Sequence, residues 1–445
     1  MSQNYVERPR FSCALGGALE TITSLPGVAP VIHAASGCGG NLFGAQQAGG
    51  LYGAGYCGGL SMPSSNVAEN EIIFGGVERL TEQIESTLEL VDARLLFIVT
   101  GCMTDIIGDD LRAAINPCLG RGTDILALHT GGFRGNSYKG YDLTLQTLFT
   151  EYTVKTVRTQ ADLVNVWGLA PAHDPFFRGD LENVKHLLAL LGLRANTFFT
   201  YDETLSNLKN AGAARLNIVL SPVNGLGAAA AFQEKHGVPA IVVDLPIGAG
   251  AAERFLYTIA AALGLEKKIA AKAVGAEKDR YYRYIERVSD SYTDMDLQQY
   301  FLTVANSTYA APLTRCLAED FGWLPELTVV TDLLDEDEQE KVRAGFRDFR
   351  FTPAPRLVFE TDASQIQRHF TGAQRPYRQE RYYDAPAPLF VLGSSQEAEL
   401  ATRLGAKYLS VSYPLNDRAV LSCGYAGFRG GLRLFEDLLY ALIGR

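Results

Sequence analysis

Short apolar runs alternate with segments of helical periodicity along nearly the whole chain. The run Leu95–Thr100 is apolar up to its final threonine, as expected for a strand buried on both faces of a parallel sheet. The segment before it has the spacing of an amphipathic helix, with apolar residues at Val77, Leu80, Ile84 and Leu88. The repeated alternation predicts an α/β fold, with parallel sheets covered by helices on both faces.

The length of 445 residues suits about three domains of roughly 150 residues each. Three doubly wound, Rossmann-like units are predicted, over residues 1–160, 161–297 and 298–445. A helix is predicted to begin near Asp109 and Asp110, because carboxylates favour a helix amino terminus. The polar stretch 265–297 is predicted to form helices that connect the second unit to the third.

The composition excludes several classes of function. A net charge of −10 without a lysine and arginine cluster argues against nucleic-acid binding. Residues 1–8 lack the apolar core of a signal peptide, and no apolar stretch is long enough to span a bilayer. The sequence therefore predicts a cytoplasmic protein with neither a membrane nor a nucleic-acid partner. Phosphate-binding loops of the form G-x-x-x-x-G-K-[ST] are also missing, so ATP hydrolysis by this chain is not expected.

Three cysteines in the first quarter of the chain carry the strongest chemical signal. Cys13, Cys38 and Cys102 each lie beside glycine or other small residues, and Cys102 follows the predicted strand Leu95–Thr100. A chain that leaves a parallel strand there presents its next side chains at the edge where α/β proteins bind ligands. Three thiolates at one edge could hold an iron–sulfur cluster. Three buried structural thiols are an equally good interpretation of the spacing, whereas structural zinc lacks an evident fourth ligand.

The other cysteines are assigned one by one. Cys57 is interpreted as a loop thiol, with a fourth ligand as the alternative, and Cys423 is ambiguous. Cys118 and Cys316 lie in apolar helical surroundings typical of core residues. His33 and His129 are near the cysteine-bearing loops, where a lone histidine is more often a hydrogen-bonding residue than a ligand.

The order of these motifs resembles component 1 of nitrogenase and its relatives. The resemblance rests on Cys13, His33-x₄-Cys38, the segment Glu69–Gly76 and the element T-x-C-x₄-I-G-D-D over Thr100–Asp110. Further matches in the middle and carboxyl-terminal thirds extend it over nearly the whole chain. It implies that Cys13, Cys38 and Cys102 are metal ligands for half of an 8Fe-7S P-cluster at the interface with an α-type subunit.

The resemblance also implies which subunit this is. The middle stretch 225–231 has no cysteine and the stretch 413–430 no histidine, so both ligands of the catalytic cofactor in α-type chains are missing. A β-type subunit is implied, without catalytic residues of its own, in an α2β2 heterotetramer served by an ATP-dependent iron–sulfur reductase. Such a chain is an electron relay in an oxidoreductase complex.

Three departures separate the sequence from nitrogenase itself: Cys13 is close to the amino terminus, the segment 39–63 is rich in glycine, and Gly132 replaces a serine that ligates the oxidised P-cluster in some members. They favour a nitrogenase-like reductase, with methylthio-alkane reductase, which cleaves carbon–sulfur bonds in small thioethers, as the leading interpretation. The alternatives are a nitrogenase β subunit that reduces dinitrogen, a cofactor-assembly scaffold, and a metal-free binding protein with buried thiols.

Overall fold

The computed structural model describes residues 6–40, 48–50, 62–156, 158–347, 349, 354–374 and 389–444. Three parallel sheets follow one another along the chain, which confirms the predicted α/β fold. Each sheet lies within one of the three predicted residue ranges, while the boundaries at 160/161 and 297/298 stay predictions.

The first sheet has the strand order β1-β2-β3 and carries the cysteine-bearing loops. Its strands are β1 (Val28–His33), β2 (Leu95–Thr100) and β3 (Asp124–Leu128). Around them lie α1 (Ala14–Thr23), α2 (Glu69–Phe74), α3 (Val77–Leu90), α4 (Cys102–Ile107), α5 (Leu111–Ile115) and α6 (Ser137–Thr147). Every residue of β2 is buried, as its apolar run requires.

The second sheet has the order β5-β4-β6-β7, again parallel throughout. Its strands are β4 (Leu163–Trp167), β5 (Arg194–Asn196), β6 (Leu216–Val219) and β7 (Ala240–Val242). The helices are α7 (Phe177–Leu190), α8 (Leu205–Lys209), α9 (Leu226–His236) and α10 (Gly248–Ala262). The predicted connecting helices are α11 (Lys267–Ile285) and α12 (Ser289–Asp294).

The third sheet has the order β10-β9-β8-β11-β12. Its strands are β8 (Tyr300–Ala305), β9 (Leu324–Val330), β10 (Arg356–Phe359), β11 (Leu389–Gly393) and β12 (Lys407–Ser410). The helices are α13 (Ala310–Arg315), α14 (Glu336–Ala344), α15 (Ile366–Gln374), α16 (Ala398–Leu404) and α17 (Gly427–Ile443). Among the described residues, no helix is both long enough and apolar enough to cross a membrane.

The three units share one continuous apolar core, which the sequence pattern did not predict. Buried polar contacts also join them. The Asp180 carboxylate on α7 accepts hydrogen bonds from the backbone N–H groups of Tyr425 and Ala426, at 2.5 and 2.7 Å. A buried carboxylate is stable only when its hydrogen-bond donors are fixed in place. The second and third units are therefore packed together at this contact.

Helix α1, which follows Cys13, packs very closely against helix α6. A Cβ at Gly17 would lie 1.8 Å from the Ser137 carbonyl oxygen, and one at Gly140 would lie 2.0 Å from the Ala14 carbonyl oxygen. Helices α1 and α6 thus cross with their backbones in contact, which only glycine permits at these two positions. The close crossing fixes the start of α1, and with it the position of Cys13.

Candidate metal centre

The structure places the three predicted cysteines at the carboxyl edge of the first sheet. Cys38 lies in the helical segment 36–40 that follows β1, and Cys102 is the first residue of α4, which follows β2. Cys13 joins the same edge through a backbone bridge with Asn136 and through the Ala14 N–H, which donates to the Gly135 carbonyl at 2.9 Å. Adjacent parallel strands end at one edge, so residues distant in sequence are brought together here.

The three thiols are close enough to influence one another. Burial raises the pKa of the Cys38 thiol, and the neighbouring Cys13 and Cys102 thiols raise it further. A Cβ on Gly101 would lie 3.8 Å from the Cys38 sulfur. Cys38 is half-buried, whereas Cys13 and Cys102 are exposed, so the cysteines form an open surface site.

Gly132 lies between two of these cysteines. Its N–H donates to the Cys102 sulfur at 3.1 Å, and a Cβ on it would lie 3.2 Å from that sulfur and 3.4 Å from the Cys13 Cβ. Glycine therefore keeps the space between Cys102 and Cys13 free. This is the position at which the sequence predicted the loss of a serine ligand.

Gly132→Val is expected to lower the iron content of the purified complex by at least half, because its branched side chain occupies the space between the two cysteines. The apparent melting temperature should change by no more than about 2 °C, since the site is open to solvent. Iron analysis and a thermal melt measure the two quantities. Gly275→Val on α11 is the control, because a Cβ there meets no atom within 4 Å. Equal iron in both variants would contradict the prediction.

The three other described cysteines lie apart from this edge. Cys118 and Cys316 are buried, which confirms their interpretation as core residues. Cys423 packs beside the Gly179 backbone, and burial, followed by the nearby Asp437, raises the pKa of its thiol to about 11. It is no neighbour of the three cysteines in the described structure. Cys57 lies outside the described residues.

His33 is a structural residue, as the sequence suggested. Its ring nitrogens lie 2.9 Å from the Ser65 hydroxyl and 2.8 Å from the Asp109 carboxylate, and the side chain is fully buried. Asp109 also accepts the Gly76 N–H at 2.9 Å. The next residue, Asp110, caps α5 by accepting the Ala113 N–H at 3.1 Å, as predicted for a helix beginning here. The two aspartates of the I-G-D-D element therefore hold the loops around the site.

The buried His33 predicts a pH dependence of stability. Burial lowers its pKa from 6.5, against a smaller opposite effect of Asp109, so the folded chain binds a proton less readily than the unfolded chain. The contribution of His33 is fully present above pH 6.5 and is lost as the pH falls below 6.5 and through the lowered pKa of the folded chain. The wild-type chain should therefore lose more free energy of unfolding than His33→Gln between pH 7.5 and 5.5. Denaturant titrations at both pH values measure the free energy of unfolding. An equal loss in the wild-type chain and in His33→Gln would contradict the prediction.

Exposed apolar side chains lie on the segments next to Cys102. They are Ile73 and Phe74 of α2, Met103 and Ile106 of α4, and Phe133 after β3, which we call the apolar collar. Helix α2 packs against α4, so the collar is continuous with the segment that begins at Cys102. Exposed apolar groups clustered around a polar site are typical of a surface that another protein covers.

The donor set indicates which metal the edge could hold. Among the described residues, no three His, Cys, Asp or Glu side chains are arranged to hold a single metal ion. Three thiols, with no fourth ligand among the residues the structure describes, fit neither closed tetrahedral zinc nor a complete four-cysteine cluster site. They do fit part of an iron–sulfur cluster whose other ligands come from a second chain.

Sequence reasoning missed one residue of this region, Asp105 on α4. It is fully buried on a short helix that is otherwise largely exposed. The signal in the sequence was weak: an aspartate within an apolar stretch three residues after Cys102. Its partners lie at the end of β2 and on the 129–134 loop, so only the folded chain reveals them.

The family model for nitrogenase component 1 type oxidoreductases matches residues 13–443. The chain therefore belongs to the nitrogenase component 1 family. Within this family it is similar to β-type chains: it is 28% identical to the vanadium-iron protein beta chain of Trichormus variabilis, over 75% of this chain and 73% of that one. It is 26% identical to the molybdenum-iron protein beta chain of Sinorhizobium fredii, over 86% of this chain and 75% of that one.

A biosynthetic relative is also similar. The iron-molybdenum cofactor biosynthesis protein NifE of Methanococcus maripaludis is 26% identical over 58% of this chain, which spans about half (52%) of NifE. A solved structure titled nitrogenase Cp1 at pH 6.5 superposes on this chain with a TM-score of 0.79 at 16% identity. The match covers 100% of this chain and 94% of that chain. That likeness supports the fold alone.

Proposed function

We propose that this chain is the β-type subunit of a nitrogenase-like reductase, and that Cys13, Cys38 and Cys102 are its metal ligands. The observation that carries the proposal is the exposed three-cysteine edge next to the apolar collar. Three thiols are half of what a shared P-cluster-type cluster needs, and the collar supplies the surface on which the α-type partner would bury it.

The residues of this chain would bind and shield the cluster. When bound, such a cluster supplies reversible storage of electrons. The Gly132 N–H donates to the Cys102 sulfur, and hydrogen bonds of this kind tune the electron affinity of a cluster. The collar would exclude water once the partner is docked, because its side chains are apolar and face outward.

The source of electrons is expected to be a separate protein. The sequence has no phosphate-binding loop, so ATP-dependent delivery requires a distinct iron–sulfur reductase. The substrate-binding cofactor is proposed to lie on the α-type partner, in an α2β2 assembly. This chain would then relay electrons from the reductase to that cofactor.

For the substrate we propose reductive carbon–sulfur cleavage of methylthio-alkanes. The support is the set of departures from nitrogenase, among them Gly132, which leaves no side-chain oxygen between Cys102 and Cys13. Dinitrogen reduction and cofactor assembly are the competing functions. The retained set of three cysteines favours a redox subunit over a scaffold. The similarity to NifE is the observation that supports the scaffold function.

The anaerobic complex, its reductase and ATP should be assayed on dimethyl sulfide, dinitrogen and acetylene. Methane and methanethiol from dimethyl sulfide are the expected products. Ammonia from dinitrogen, without sulfide cleavage, would assign a nitrogenase, and turnover of none in an iron-loaded complex would favour the scaffold. A wild-type complex that contains no iron would overturn the proposal in all its forms.

A further inference from the structure

A buried carboxylate holds the loop that contains Gly132, together with two hydrogen bonds that join Thr130 to Thr100. Asp105 Oδ1 lies 2.5 Å from the Thr100 hydroxyl and 2.7 Å from His129 Nδ1. Its Oδ2 accepts from the Gly131 N–H at 3.0 Å and from Arg134 Nε at 2.9 Å. Four donors, one from the end of β2 and three from the 129–134 loop, thus converge on one side chain, which is 0% exposed.

The charge state of Asp105 fixes the direction of these contacts. Burial opposes its ionised form, but the donors from Thr100, Arg134, His129 and Gly131 outweigh burial and lower its pKa. An ionised carboxylate only accepts hydrogen bonds, so His129 carries its proton on Nδ1 and donates it. Charge-assisted hydrogen bonds of this type are stronger than neutral ones, and the three from His129, Gly131 and Arg134 restrain the loop.

The restraint acts next to the proposed ligand Cys102. Gly131, whose N–H donates to Asp105, immediately precedes Gly132, whose N–H donates to the Cys102 sulfur. The two N–H groups are one peptide unit apart, so fixing the first limits where the second can point. Asp105 is itself only three residues after Cys102, on the same helix.

Stability of the fold alone does not account for this arrangement. Helix α4 has six residues, and Met103 and Ile106 on it are exposed. The 132–134 turn that Asp105 holds is likewise exposed, with Phe133 outward. A buried carboxylate with four donors between two exposed segments is better explained by a need to hold those segments in one geometry.

We propose that Asp105 is a positioning residue, which aims the Gly132 N–H at the Cys102 sulfur and holds Arg134 on the same side of the site. This inference rests on the proposed function in so far as Cys102 is a cluster ligand. Asp105 touches neither substrate nor cluster in this role. It acts through the 129–134 loop.

The reduction potential alone would not test this role. Removing Asp105 deletes a negative charge, which raises the potential, and releases an N–H bond to sulfur, which lowers it. Two other readouts avoid that cancellation. One is hydrogen–deuterium exchange of the 129–136 segment in the full complex, and the other is the hyperfine coupling of exchangeable protons to the paramagnetic cluster.

In Asp105→Ala, exchange of the 129–136 segment is expected to be at least tenfold faster, and one exchangeable-proton coupling should disappear. Asp105→Asn should restore most of both signals, because its amide oxygen can still accept from Gly131 and its nitrogen can donate to the Thr100 hydroxyl. Arg134→Gln should keep the coupling, since Asp105 still holds Gly131. Asp92→Asn, an exposed carboxylate after α3, is the matched control.

Unchanged exchange in Asp105→Ala would overturn the positioning role, even if the cluster is present. Loss of the coupling in Arg134→Gln as well would show that the charge pair, rather than the loop geometry, is responsible, which also overturns it. A wild-type complex without iron would instead sink the proposed function, and the exchange measurement would still report on the loop. If Asp105→Ala does not assemble, His129→Phe, which removes only one donor to Asp105, should show a smaller acceleration of exchange, and none would contradict the inference.

Discussion

Cys102→Ala is expected to abolish the cluster signal of the anaerobically purified complex and to reduce its iron content by one cluster for each β-type chain. The reason is geometric. Cys102 is exposed, bonded to the Gly132 N–H, and adjacent to Cys13 and Cys38, so no neighbouring side chain in the described structure can replace its sulfur. Iron analysis, electron paramagnetic resonance and the visible spectrum measure the loss.

Cys423→Ser is the matched control for this experiment. Cys423 is half-buried and lies beside Gly179 and Asp437, away from the cysteine edge, so its replacement should leave the iron content unchanged. The fold of Cys102→Ala should persist, because the cysteine contributes no buried apolar surface. Iron content equal to that of wild type in Cys102→Ala would show that the ligand assignment is wrong.

Phe74→Glu is expected to weaken association with the α-type partner by about 30- to 1000-fold, equivalent to roughly 2–4 kcal/mol for a buried aromatic residue at an interface. Phe74 is 85% exposed in this chain and belongs to the apolar collar, so a charge there would be buried without a partner. Sedimentation or titration of the purified subunits measures the affinity.

Tyr201→Glu provides the comparison for that variant. Tyr201 is 90% exposed in the second unit, outside the collar, so the same change in charge should leave the affinity within about threefold of wild type. Equal weakening in both variants would indicate a general effect of charge. Unchanged affinity in Phe74→Glu would show that the collar is not the α-type interface.

Secondary structure followed the apolar pattern closely. The spacing of Val77, Leu80, Ile84 and Leu88 predicted a helix, and α3 spans Val77–Leu90. The apolar run before Cys102 is β2, buried along its full length. These predictions succeed because periodicity reports which side of an element is removed from water, and this is a local property of the chain.

The contacts of the I-G-D-D element were beyond such reasoning. The resemblance marked the element as a family feature, but it did not indicate that Asp109 receives His33 and Gly76 while Asp110 caps α5. His33 and Asp109 are 76 residues apart, and nothing in the spacing of either motif encodes their contact. The partners of a buried carboxylate are decided by packing, so they are known only from the folded chain.

By itself the sequence determined the α/β class, the cysteines with metal-binding potential, and the resemblance to component 1 proteins, because periodicity and motif order are written along one dimension. Tertiary structure decided that Cys13, Cys38 and Cys102 meet at one exposed edge, that the apolar collar lies next to Cys102, and that Asp105 holds the Gly132 loop. The physical reason is that parallel strands bring loops from distant segments to the same edge. The side chains that meet there are far apart in sequence, so no local sequence pattern predicts their contacts.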